Sequence, residues 1–101
     1  MDPGLSLDST VVATREQVSC ELAGSVAILH LGTGVYHSLD LVGARIWSLL
    51  QSPCRVAQLR DTLLAEFAVA ADACERDLLA LLHQLAAEQL IEVGPPAGAA
   101  G

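Results

Sequence analysis

The sequence predicts an α+β fold, a small three-stranded antiparallel sheet packed on three helices. Three observations predict it. Short apolar, β-branched runs punctuated by Gly turns fall within the first 40 residues. From Asp40 onward the apolar period lengthens from two to between three and four. The 101 residues suffice for one domain with one core.

The elements follow in order. Residues 1–9 are polar and turn-rich and read as a flexible N-terminal arm ahead of a domain spanning 10–93. Val11-Val12-Ala13 is short and β-branched, a first strand. Arg15 to Gly24 is mixed in character and reads as a loop, with a turn at Gly24-Ser25. Ser25 to Leu31 is a second strand; both its faces are largely apolar, as in a strand covered on two sides. Gly32-Thr33-Gly34 closes a hairpin, because glycine accepts positive φ. Val35 to Leu39 is the third strand, antiparallel to the second.

Asp40 is a good N-cap for a first helix from Leu41 to Gln51. Val42, Ile46, Leu49 and Leu50 share its apolar face, Trp47 flanks it, and Ser52-Pro53 ends it. A second helix spans Arg55 to Phe67, with Val56, Leu59, Leu63 and Phe67 as its stripe and Arg55 as a poor cap. Asp72 with Glu75 forms a capping-box pattern that starts a third helix reaching Gln89. Leu78, Leu81, Leu82 and Leu85 make its core stripe, and Leu79, Leu82, His83 and Ala86 make an adjoining one. A three-helix domain needs only one such face inside. Leu90-Ile91-Glu92-Val93 is a last apolar segment, and 94–101 reads as a disordered low-complexity tail.

Composition excludes several classes. At 52% hydrophobic residues the chain is not intrinsically disordered. It has no apolar run of membrane-spanning length and no signal-peptide pattern at Met1-Asp2-Pro3-Gly4, so a cytoplasmic location is expected. Net charge is −7, from 12 acidic residues against five Arg and no Lys. Nucleic-acid backbones and anionic membranes both require clustered cations and are disfavoured. A neutral or basic peptide is a permitted partner. Cys20, Cys54 and Cys74 are odd in number and lack C-x-x-C spacing, so neither zinc nor a disulfide framework is expected.

No catalytic, metal or cofactor site emerges. His30 and His37 lie on paired strands, without a Cys or carboxylate cluster to complete a metal or acid–base site. His83, on the flank of the third helix, is either solvated or groove-lining. Ser38, Ser48 and the cysteines have no elbow or base motif around them. Asp72, Glu75 and Asp77 fall in a first helical turn, where they oppose the positive end of the helix dipole. Gly32-x-Gly34 precedes a strand, so it is no phosphate loop.

Two helices joined by a short turn beside a β element suggest a winged helix-turn-helix, whose second helix would normally read DNA. Here that helix would present Glu75, Asp77 and Glu88 to the phosphates against a lone Arg76. Shape and charge disagree. Peptide capture satisfies both. The third strand ends the β region and carries none of the Lys, Pro or bulges that blunt a free edge. With the second apolar stripe beside it, that edge makes a cleft suited to strand addition.

The residues then resemble a known family. Gly34-Val35-Tyr36-His37-Ser38-Leu39-Asp40, Gly43-Ala44-Arg45-Ile46-Trp47-Ser48-Leu49-Leu50, Val56 and Leu59, Asp77-Leu78, Leu81-Leu82-x-x-Leu85 and Leu90-Ile91 are similar to the PqqD-like recognition elements of ribosomally made, modified peptides. The resemblance covers Ser25 to Val93 and is nearest to stand-alone leader-binding proteins of lasso-peptide pathways. It implies a non-catalytic adaptor. A precursor leader peptide would pair with Val35, Tyr36, His37, Ser38 and Leu39 and face Glu75, Leu78, Leu79, Leu82, His83 and Ala86. The adaptor would hand the precursor to a leader-cleaving cysteine protease and an ATP-dependent cyclase. The alternatives are a chaperone for the quinone-cofactor precursor and, further off, a winged-helix DNA-binding regulator.

Overall fold

The computed structural model describes residues 5–96. Its elements are β1 (Ser9–Ala13), β2 (Gln17–Leu22), β3 (Ser25–His30), β4 (Tyr36–Leu39), α1 (Leu41–Leu49), β5 (Cys54–Arg55), α2 (Val56–Glu66), α3 (Ala71–Ala87) and β6 (Ile91–Pro96). The strands form two three-stranded antiparallel sheets, β5-β1-β6 and β2-β3-β4. The mixed α/β class agrees with the sequence reading. The partition into two sheets does not appear in it.

The difference traces to 17–22, which reads as a loop and is a strand. Val18, Cys20 and Leu22 do alternate, but they face outward, and the polar partners Gln17, Ser19 and Glu21 hide the pattern. β2 takes the place beside β3. β1 therefore pairs elsewhere, with β6 and with the two-residue β5. The β2–β3 link is a two-residue turn with Ala23 at φ 48° and Gly24 at φ 92°, the backbone of a type I′ hairpin.

The N-terminal segment is held rather than loose from Leu5 on. Leu5 and Leu7 pack against the core, the Leu7 carbonyl accepts from the Ala57 amide, and Ser9 is buried in β1. At the other end β6 continues through Gly94-Pro95-Pro96, and the rest of the expected tail lies outside the described residues.

The β3–β4 turn is built on His30. Its buried ring presents Nδ1 to the Gly32 and Thr33 amides at 3.0 and 3.1 Å. Gly34 takes φ 76°, and the His30 amide donates to the Val35 carbonyl at 2.9 Å. His30 is thus a structural residue of the turn.

Helix starts agree in part. The Asp40 carboxylate caps α1 by accepting from the Gly43 amide at 3.0 Å. For α2 the cap comes from inside the helix: the Gln58 side chain accepts from the Arg55 amide at 2.9 Å. α3 starts two residues before the capping-box reading, with Ala70 as N-cap. Asp72 accepts from the Ala73 amide next to it, and Glu75 turns to Arg60. α3 ends where Gln89 enters the left-handed region at φ 61°, with Gln89 and Leu90 amides donating back to Ala86 and Leu85. One core of Leu, Ile, Val and Trp47 joins the inner sheet faces to all three helices.

Two positions hold a side chain in a backbone region that favours Gly or Asn. Ala23→Asn, matching the type I′ preference, and Gln89→Gly should each raise stability by about 0.5–1 kcal/mol. Urea denaturation of the two variants checks this.

Candidate functional site

The site is built around β4. Its inner edge pairs with β3 in the register Leu29–Tyr36, Ile28–His37, Ala27–Ser38 and Val26–Leu39. No described strand pairs with its other edge. The Val35 carbonyl faces β3. Alternation then turns the amides and carbonyls of Tyr36 and Ser38 out to the free edge, two donors and two acceptors. Side chains alternate as well. Tyr36 and Ser38 lie exposed on the outer face, while His37 and Leu39 point inward.

Along this edge runs a groove of about 490 Å³. β4 forms one bank through His37, Ser38 and Leu39. Val42, Gly43 and Ile46 of α1 and Leu63 and Phe67 of α2 line its middle. The opposite bank is α3, through Ala73, Cys74, Asp77, Leu78 and Leu81, with Val69 from the loop before it. The lining is mostly apolar, and Asp40 and Asp77 are its carboxylates. Beyond its last residue on β4, His37 Nδ1 lies 2.8 Å from Glu88 Oε1 and links the strand to the C-terminal end of α3.

Gly43 sets how closely β4 and α1 approach. A Cβ there would stand 2.9 Å from Leu39 Cβ and 3.2 Å from Leu39 Cδ2. The Leu39 Cβ is fixed to the strand backbone, so it cannot give way without moving the strand.

Of the residues expected to bind, Tyr36, Ser38, His37 and Leu39 meet the free edge or the groove, and Val35 enters through the turn that fixes them. On α3, Leu78 lines the groove. Leu82 is completely buried in the core. Leu79 and Ala86 are half-buried against that core, and Glu75 is ion-paired to Arg60 at 3.2 Å. These residues and His83 are not groove-lining. α3 is turned so that the face carrying 73, 74, 77, 78 and 81 looks at β4. The extra width of its apolar surface goes into packing, because α3 is covered by α2 and β6 as well. Ala73, Cys74, Asp77 and Leu81 were missed for that reason. The helical period marks two apolar stripes but not which neighbour each one meets.

The chemistry of this surface is that of contact. Burial pushes the Cys54 and Cys74 thiols up, away from the thiolate form, with Asp77 adding to the effect at Cys74. Among the described residues no group of three or more His, Cys, Asp and Glu is placed to hold a metal ion. Nor is any described helix long and apolar enough to cross a membrane. Three of the five arginines are engaged in ion pairs. Arg45 forms a two-point bridge to Glu66 at 2.8 Å, which holds that carboxyl below its usual range, and Arg60 joins Asp61 and Glu75. Arg76 lies 3.7 Å from Asp77. α3, the helix that would face a DNA groove, offers phosphates no net attraction.

The family model of coenzyme PQQ synthesis protein D matches residues 25–91. The chain belongs to the PqqD family. Among solved structures it is similar to TbiB1 in complex with the TbiA(beta) leader peptide, at 41% identity and a TM-score of 0.75, covering 80% of this chain and 94% of that one. A lasso peptide synthetase B1 complexed with its leader peptide shares the fold at 22% identity and a TM-score of 0.71, covering 81% and 96%. No curated protein matches. The PqqD match begins at β3 and ends as β6 starts, so it takes in β4, α1, α2, α3 and every groove residue.

Gly43→Ala should cost about 1–3 kcal/mol, although Ala is the better helix former, because the added methyl overpacks against Leu39. A lower urea midpoint at unchanged slope is the expected reading.

Proposed function

We propose that this PqqD-family protein is a non-catalytic adaptor of the cytoplasm that captures the leader segment of a ribosomally made precursor peptide. The leader pairs with the free edge of β4 and lays alternate side chains into the groove. The observation that carries this reading is the conjunction of an unpaired strand edge with an apolar groove on its inner side. The 41% identical relative, solved in complex with a leader peptide, supports it. A lasso-type pathway is favoured over a chaperone for the quinone-cofactor precursor, because both similar structures are leader complexes and one is a lasso peptide synthetase subunit.

The magnitudes suffice. Four edge hydrogen bonds contribute about 1 kcal/mol each, net. Two anchors buried in the groove add about 2 kcal/mol apiece. Ordering a disordered leader costs about 2–5 kcal/mol. The balance is modest, which suits a carrier that must let its cargo go.

Delivery needs a second surface. The outer face of β2-β3-β4 bears Val18 and Leu22, Leu29 and Tyr36, all exposed. Such a patch marks a protein contact. A chain of net charge −7 repels its own copies, so the occupant is a different protein with a basic rim. The leader-cleaving cysteine protease is the partner this reading assigns to it, with the ATP-dependent cyclase acting afterwards.

Ser38→Pro removes an amide that faces the free edge and should leave the β3 pairing intact. Fluorescence anisotropy with labelled TbiA(beta) leader should show binding at least about tenfold weaker than for the wild type. Equal affinity in a folded Ser38→Pro protein would rule out strand addition. Val18→Lys with Leu22→Lys should leave leader affinity unchanged while slowing leader cleavage by the pathway protease; an unchanged cleavage rate would remove the outer face from the reading.

A further inference from the structure

We infer that an added strand is read on both faces, and that its outward side chain opposite Ser38 occupies a subsite walled by Tyr36. The inference rests on the leader-binding reading and specifies the chemistry of the peptide it takes.

The register of the sheet carries the argument. On the outer face, Val18, Leu29 and Tyr36 stand opposite one another across three strands. The next row on the same face is Cys20, Ala27 and Ser38. The first row is large and apolar, the second small. Both run to the free edge of β4. A strand added there continues each row by one residue, because directly opposed residues on a sheet share a face.

The two positions are unequal. Opposite Tyr36 the new side chain meets a ring already standing on the surface, 66% exposed. Opposite Ser38 it meets only small side chains, Ser38 and Ala27, which beside the larger Tyr36 and Leu29 leave a trough. There a long side chain has room to lie over Ser38 and Ala27, with the Tyr36 ring as one wall and Leu29 behind it. The ring gains burial and the incoming group gains apolar contact on two sides. The occupant is therefore bulky and apolar: Leu, Met or an aromatic residue.

The backbone fixes the register. Tyr36 and Ser38 are the residues whose amides and carbonyls face the edge, so they form the hydrogen-bonded pairs with the incoming strand. The groove on the inner face then reads the residues opposite His37 and Leu39. Recognition covers consecutive residues of the leader, inward and outward in turn, rather than every second one.

The test is a coupling experiment. Each residue of the TbiA(beta) leader is replaced in turn by Asp, and every peptide is titrated against wild type, Tyr36→Ala and Ala27→Leu. At one outward position Asp should weaken binding to wild type about fivefold or more, and to Tyr36→Ala less than twofold. Inward positions should lose the same factor in both proteins. Ala27→Leu fills the trough, so it should lose affinity for the parent leader but not for that one Asp peptide. Identical profiles for wild type and Tyr36→Ala at every position would overturn the subsite while leaving leader binding standing. Failure of the wild-type protein to bind the parent leader would overturn the leader-binding reading, and the subsite with it.

Discussion

The junction at Asp40 governs this molecule. β4 ends at Leu39 and α1 begins at Leu41, with one residue between them. Asp40 ends the strand in extended backbone and caps the helix with its carboxylate. The chain leaves the sheet at once, as a helix. No connecting loop remains to fold back along β4, and a helix cannot supply a strand's ladder. The edge stays open because the turn out of it is so short. Gly43 completes the device, since only a residue without a Cβ lets α1 come this close to Leu39. One constraint thus creates the free edge and sets the near wall of the groove.

The far wall is held by other means. Arg45–Glu66 joins α1 to the end of α2, and Arg60–Glu75 joins α2 to α3. These are surface pairs, and each contributes little to stability. Their geometry matters more than their energy, since they fix how α2 is set against α1 and α3 against α2. His37–Glu88 then ties β4 to the end of α3. The groove is framed by polar links around an apolar interior, and it keeps its width without filling itself. The net charge of −7 works against binding to a phosphate backbone.

Much of this was legible in the residues. The β3–β4 hairpin, the Asp40 cap, the stripe of α2 and the free edge follow from period and punctuation; on α1 the expected stripe is shifted, with Val42 exposed and Trp47 buried. What escaped did so for physical reasons. β2 puts apolar residues outward and polar ones inward, the reverse of an ordinary half-buried strand, so its alternation carries no core signal. β5 is two residues long, below the reach of any pattern. On α3 the residues named from the sequence and the groove lining share Leu78, because Leu82 belongs to both stripes and only tertiary neighbours decide between them. Leu82 went to the core, and the groove took the face with Leu78 and Leu81. Asp72 and Glu75 form a sound local capping pattern, but Arg60 draws Glu75 away and the helix begins at Ala71.

Strand addition by itself has a weakness as a means of recognition. Backbone pairing gives affinity and direction but hardly any sequence selectivity, since nearly every residue offers the same amide and carbonyl. Selectivity must come from side chains, and one groove reads only the half of them that point inward. A leader that differs at outward positions would pass unnoticed. The outer face of this sheet supplies what the groove lacks, because its rows reach the same edge at the same register. The inverted polarity of β2, which hid the strand from the sequence, is what makes that face apolar. The choice of residues at 18, 20 and 22 that defeats pattern reading also continues that apolar face behind the edge, where Leu29, Ala27 and Tyr36 do the reading.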